Sequence, residues 1–245
     1  ENTSQPPLLI HTHLAEPSNE LQQIIAFNEK HGNSIPDGVS SSTDFIHKIG
    51  LLSDRLLAAH CIHVSDKDLA LFKKHNVRIA LNPLSNSKLG NHMPPIPSML
   101  KENLILGLGT DGASSNNTLS LLDTMRYLAL YYKGAFNDPT IVNAHEVLKL
   151  ATIGGAKVLD WAGIGTLEVG SLADVITIDL YKPHLSPQLK EETVLSHVVY
   201  AANGADVQNV IVDGKLLVND RKFTMQISLD SVISNAQHSI ERLLS

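Results

Sequence analysis

A chain of 245 residues, 43% hydrophobic and 18% charged, belongs among globular proteins and has room for one large domain and a small appendage. Its net charge of −6 leaves no basic face for nucleic acid, and no apolar run reaches the length of a membrane span. The single cysteine, Cys61, excludes an internal disulfide framework and suits a reducing compartment, so the cytoplasm is the expected location. The opening residues, ENTSQPP, carry no signal-peptide pattern and read as loop.

From residue 8 to about 135 the chain alternates apolar runs with helix-patterned segments. The runs are LLIHTHL (8–14), RLLAAHCI (55–62), VRIALNP (77–83) and NLILGLGT (103–110). Each is nearly continuous in apolar residues, as in parallel strands covered on both faces. Helices are predicted between them at 19–32, 43–50, 65–76 and 94–103, with a longer one at 119–134. Ser65 is a fitting N-cap and Gly32 a fitting stop. Repeated βα units of this kind give a parallel α/β sheet or barrel.

The pattern changes near residue 165. Residues 143–163 read as a helix interrupted at Gly154-Gly155, or as two helices. The stretches 166–180 and 207–219 alternate and turn at Gly and Asp-Gly, which predicts antiparallel sheet with a hairpin. Residues 229–245 form an amphipathic terminal helix. The expected domains are thus 1–163, 164–225 and 226–245.

Polar residues stand at the ends of the four parallel runs: His13 with Glu16 three residues on, His60, Asn82 and Asp111. In a parallel α/β barrel the C-terminal strand ends converge, so these residues meet although far apart in sequence. Imidazoles and carboxylates together suit a divalent metal, Zn²⁺ first and Fe²⁺ second. Such a metal lowers the pKa of bound water from about 15.7 to about 7. Each residue has a plainer reading when taken singly: packed histidines for His13 and His60, a helix N-terminal charge for Glu16, a common turn for Asp111. Their shared position at strand ends is what favours chemistry. His11 and His63 read as core residues or supports of the site. His31, His47, His75, His92, His145, His184, His197 and His238 read as surface residues without partners. A Rossmann module is excluded because no Gly-rich phosphate turn follows the first strand.

The motifs HLAE, AAHCIH, NPLSNSKLG and GTDGASSNN, in this order, resemble the amidohydrolase superfamily. The branch is the one with 5-methylthioadenosine/S-adenosylhomocysteine deaminases and chlorotriazine hydrolases. The tail GTLEVGSLADVITID…VIVDGK is similar to that family's C-terminal β-sandwich segment. The superfamily's first strand carries a His-x-His pair, and His11-Thr12-His13 imitates it. Spacing argues otherwise, because only two strand runs separate it from the aspartate-bearing strand where a first-strand pair requires six. The resemblance therefore places His13 on strand five, His60 on six, Asn82 on seven and Asp111 on eight of a (β/α)8 barrel, with the first-strand pair expected upstream of Glu1.

By that resemblance His13 and Asp111 are metal ligands, and Asp111 also takes the water proton. Glu16 shuttles a proton to the ring, His60 orients the water or the intermediate, and Asn82 contacts substrate. Pro17 departs from the threonine common in the branch. The implied activity is hydrolytic deamination of an adenine-type nucleoside. The alternatives are guanine, cytosine or a chlorotriazine on the same machinery, or a metal-free scaffold relative. Half a barrel leaves open strand edges, so a homo-oligomer or association with the upstream half is expected, and these residues alone are expected to be inactive.

Overall fold

The computed structural model describes residues 8–187 and 190–244; the ENTSQPP segment and Ser245 lie outside the described residues. Chain order begins with β1 (Ile10–Leu14), α1 (Glu20–Lys30), α2 (Ser42–Lys48), β2 (Leu56–His60), α3 (Asp66–His75) and β3 (Arg78–Leu81). It continues with α4 (Pro83–Lys88), α5 (Ile96–Lys101), β4 (Ile105–Leu108), α6 (Ala113–Asn116) and α7 (Leu121–Phe136). The four strands make a parallel sheet in sequential order, β1-β2-β3-β4. Helices join the sequential parallel strands, as βα repeats require.

Local chemistry explains the elements. Ser65 accepts from the Asp68 backbone N–H and the Asp68 carboxylate accepts in return, a capping box that starts α3; Asn76, in the left-handed region, stops it. Leu69 and Phe72 face inward from α3, and Met125, Leu128, Ala129 and Tyr132 form the matching stripe on α7. One face of the sheet, with Leu14, Leu56, Ala58, Ile79, Leu81, Leu106 and Leu108, is buried in the same core as those side chains. Alternation puts His11, His13, Ala59, Ala80 and Gly107 on the opposite face.

The helix expected over 143–163 is not broken by its glycines. α8 (Ala144–Lys149) runs into a π-helical turn (Leu150–Gly154) and on into α9 (Gly155–Val158). The glycines serve packing: a Cβ on Gly154 would lie 2.5 Å from the Leu106 carbonyl oxygen, and one on Gly107 would lie 3.0 Å from Val158 Cγ2. The helix thus rests directly against β4, and Asp160 just beyond it meets Arg78 of β3 at 2.7 Å.

Of the strand expected over 166–180, β5 (Val175–Ile178) alone forms; Gly163, Gly165 and Gly170 take positive φ and turn the chain ahead of it. After α10 (Glu191–Tyr200), which the sequence reading missed, β6 (Val207–Val212), β7 (Lys215–Asn219) and β8 (Lys222–Phe223) complete an antiparallel sheet, β5-β6-β7-β8. The hairpin turns at Asp213-Gly214, both at positive φ, as the Asp-Gly signal predicts. The terminal helix α11 (Leu229–Leu244) has no buried residue. Among the described residues no helix is long and apolar enough to cross a membrane.

Candidate metal centre and active site

Three strand ends carry the site. At the end of β1 the chain turns through Ala15, at φ 52, and the Glu20 carboxylate accepts from the Ala15 and Glu16 N–H groups at 2.7 and 2.9 Å. The Leu14 carbonyl accepts from Cys61, and the Ala15 carbonyl from Ile62 and His63, which ties the end of β1 to the end of β2. Strict alternation would place His60 with Leu56 and Ala58 on the core face. Left-handed backbone at His60 (φ 74) and Cys61 (φ 47) breaks the alternation. The imidazole is fully buried, yet its Nε2 lies 3.7 Å from Glu16 Oε2 and 3.9 Å from Asp111 Oδ2. Non-glycine residues with positive φ cost of order 1–3 kcal/mol each, and Ala15, His60, Cys61 and Asp111 all take it within this one site.

His13 completes the cluster. Its Nδ1 is 3.3 Å from Glu16 Oε2, and its ring meets the His60 ring edge-on at 4.8 Å. Ligand-capable atoms of His13, Glu16 and His60 lie within 4.8 Å of one another. Asp111 stands just outside this trio. Its Oδ2 accepts from Ser85 Oγ at 2.6 Å and Ser115 Oγ at 2.9 Å, and its Oδ1 from the Gly112 N–H at 2.7 Å. Burial works to raise the Asp111 carboxyl, but the hydrogen bonds from Ser85, Gly112 and Ser115, with His60 nearby, outweigh it and hold the group below its ordinary value. Desolvation and the neighbouring His13 and His60 lower the His11 imidazole.

Of the residues singled out in the sequence, His13, Glu16, His60 and Asp111 are brought together. Asn82 is buried at the start of α4; its Oδ1 occupies the space in front of Gly109, where a Cβ would come within 2.5 Å. His11 and His63 are not core residues: both are exposed, His11 because it lies on the sheet face opposite the core and His63 because it follows the turn after β2. Nor are all the remaining histidines without partners. His184 bonds buried Asp206 at 3.0 Å, and the His47 and His75 rings lie 4.9 Å apart. The sequence reading also missed Ser85, Asn86, Asn91 and Ser115, although the first three sit inside or beside the NPLSNSKLG motif. Asn86 Oδ1 meets His60 Nδ1 at 2.7 Å, and Asn91 Nδ2 donates to Glu16 Oε1 at 3.1 Å.

The amidohydrolase family profile matches residues 6–217. The chain belongs to the amidohydrolase family. It is 39% identical to a 5-methylthioadenosine/S-adenosylhomocysteine deaminase of Desulforudis audaxviator over 96% of this chain and 52% of that protein. It is 38% identical to a 5'-deoxyadenosine deaminase of Methanosarcina mazei, over 96% of this chain and 51% of that one. The chain spans about half the length of the curated relatives it matches. Among solved structures it is similar to an adenosine deaminase from Xanthomonas campestris with bound zinc, at TM-score 0.83 and 28% identity over 96% of this chain and 50% of that one. It shares its fold with a zinc-complexed atrazine chlorohydrolase from Arthrobacter aurescens, at TM-score 0.80 and 24% identity over 94% of this chain and 48% of that one.

Proposed function

We propose that this chain carries one side of the active site of a metal-dependent aminohydrolase acting on adenine-type nucleosides such as 5-methylthioadenosine or S-adenosylhomocysteine. The observation that carries the reading is the meeting of His13, Glu16, His60 and Asp111 at neighbouring parallel strand ends. The deaminase names of its relatives support the substrate class. We read β1 to β4 as strands five to eight of a (β/α)8 barrel within residues 1–163. We assign residues 164–225 to a segment of a β-sandwich and residues 226–245 to a terminal unit built on α11 (Leu229–Leu244). The two open strand edges fit association with a further barrel segment or a second copy.

The donor set fits a divalent ion, zinc first. His60 Nε2 is buried without a hydrogen-bond partner among the described residues and looks into the space shared with Glu16 and Asp111, and an imidazole with a carboxylate, here His13 with Asp111, supplies borderline donors of the kind zinc takes. His13 and Asp111 would hold the ion, and when bound it would supply an activated water at neutral pH. The remaining work belongs to side chains. Glu16, held at Oε1 by Asn91, gives a proton to a ring nitrogen of the substrate and takes one back from the hydroxyl of the tetrahedral carbon as the carbonyl forms. Asp111, kept ionised by its three donors, takes the water proton and passes it to the departing ammonia. His60 Nε2 faces the oxygen of the tetrahedral carbon, and Asn82 lines the floor. The products are the keto nucleoside and ammonia.

The test is turnover of 5-methylthioadenosine, S-adenosylhomocysteine and 5'-deoxyadenosine by the metal-loaded protein that contains this chain. Ammonia release is expected, and Glu16→Gln is expected to keep metal while losing a factor of about 10²–10⁴ in turnover. A metal-loaded protein that deaminates no adenine nucleoside, or a Glu16→Gln variant of normal activity, overturns the reading.

A further inference from the structure

The segment from Ser85 to Asn91 touches three of the four residues of the site. Ser85 donates to Asp111, Asn86 meets His60, and Asn91 donates to Glu16. Ser85 and Asn86 are adjacent on α4 and both fully buried. The helix is itself braced, because Tyr127 of α7 donates to Ser87 Oγ. Two neighbouring residues on one helical turn thus set the spacing between His60 and Asp111, which come from different strands.

The bond to His60 carries the most information. An imidazole nitrogen facing a carbonyl-type oxygen must carry the proton, whereas one facing an amide N–H must be bare. Here Asn86 Oδ1 lies 2.7 Å from Nδ1, while Nε2, also buried, has no hydrogen-bond partner among the described residues and looks toward Glu16 and Asp111. We propose that Asn86 is a positioning residue: its side-chain oxygen keeps the proton of His60 on Nδ1, so that Nε2 is the nitrogen presented to the reacting groups. The proposal rests on the function proposed above for its purpose, but not for its geometry. Asn86 touches no reacting atom. It acts through the orientation and tautomer of His60, as outer partners of ligating histidines do.

The test is nitrogen-15 NMR of histidine-labelled protein at mildly alkaline pH, without substrate or metal, on the wild type, Asn86→Ala and Asn86→Asp. His60 is expected to show the Nδ1–H tautomer in the wild type. Asn86→Asp, which keeps an acceptor, should retain it, and Asn86→Ala should lose it. Where the protein turns over substrate, Asn86→Ala should lower kcat by about 10–100-fold with KM little changed, and Asn86→Asp should recover most of the loss. A wild-type His60 protonated at Nε2 instead would mean that the Asn86 amide donates, and the proposal fails. A folded Asn86→Ala with an unaltered tautomer overturns it equally. If the alanine variant does not fold, the wild-type and aspartate spectra decide. Because the tautomer is read without turnover, a protein that deaminates nothing yet shows Nδ1–H refutes the proposed activity and leaves the positioning role standing.

Discussion

Gly154 and Gly155 are adjacent residues in one helix, yet substitution by alanine should move stability in opposite directions. A Cβ on Gly154 would lie 2.5 Å from the Leu106 carbonyl oxygen and 3.0 Å from that of Lys149, both backbone atoms that cannot rotate aside. A Cβ on Gly155 meets nothing within 4 Å among the described residues. Alanine is worth about 1 kcal/mol over glycine in a helix interior, so Gly155→Ala should stabilise by up to that amount. At Gly154 the same gain is set against overpacking of about 1–3 kcal/mol, at the upper end because the clash is with backbone. The net is a destabilisation of about 2 kcal/mol, and the two variants should differ by about 3 kcal/mol. The sole tryptophan, Trp161, follows α9 directly and reports on its docking by fluorescence. With a urea slope of about 2 kcal/mol per molar, the Gly154→Ala midpoint should fall by about 1 M. A Gly154→Ala variant as stable as Gly155→Ala would show that α9 does not rest on β4 as described.

Asp111→Asn should lower metal content as well as turnover, since it removes the charge that Ser85, Ser115 and Gly112 orient; elemental analysis showing unchanged metal removes Asp111 from the ligand set. A pH effect follows from Asp206. Burial works to raise its carboxyl, but His184, the Asn203 N–H and Lys182 outweigh it and hold it below its ordinary value. A folded-state pKa that is depressed gives stability above the unfolded carboxylate range, near about 4, which is lost as pH falls through the folded value. Urea midpoints of the wild type and Asp206→Asn should therefore differ at neutral pH and converge in acid; a gap that widens as pH falls would contradict the assignment.

The sequence determined the parallel sheet, because four nearly continuous apolar runs at βα spacing admit little else, and it determined the Asp213-Gly214 hairpin. It also marked His13, Glu16, His60 and Asp111, since chemistry at strand ends shows in the sequence as polar residues that close apolar runs. Helix α10 stayed hidden because its N-cap position, Lys190, supplies no capping side chain to mark where it starts. The role of Gly154 was equally invisible, because a glycine that breaks a helix and one that lets a helix touch a strand look alike in sequence.

Other features belong to the tertiary structure alone. Alternation assigns the His60 side chain to the wrong face, and the left-handed backbone at His60 and Cys61 that turns it into the site is imposed by the strand-end hydrogen bonds around it. Ser85, Asn86 and Asn91 look like ordinary loop polars until the fold sets them against Asp111, His60 and Glu16. The physical reason is range. Periodicity and capping are local and can be read along the chain, whereas which nitrogen of a buried imidazole faces a substrate depends on an oxygen 26 residues away.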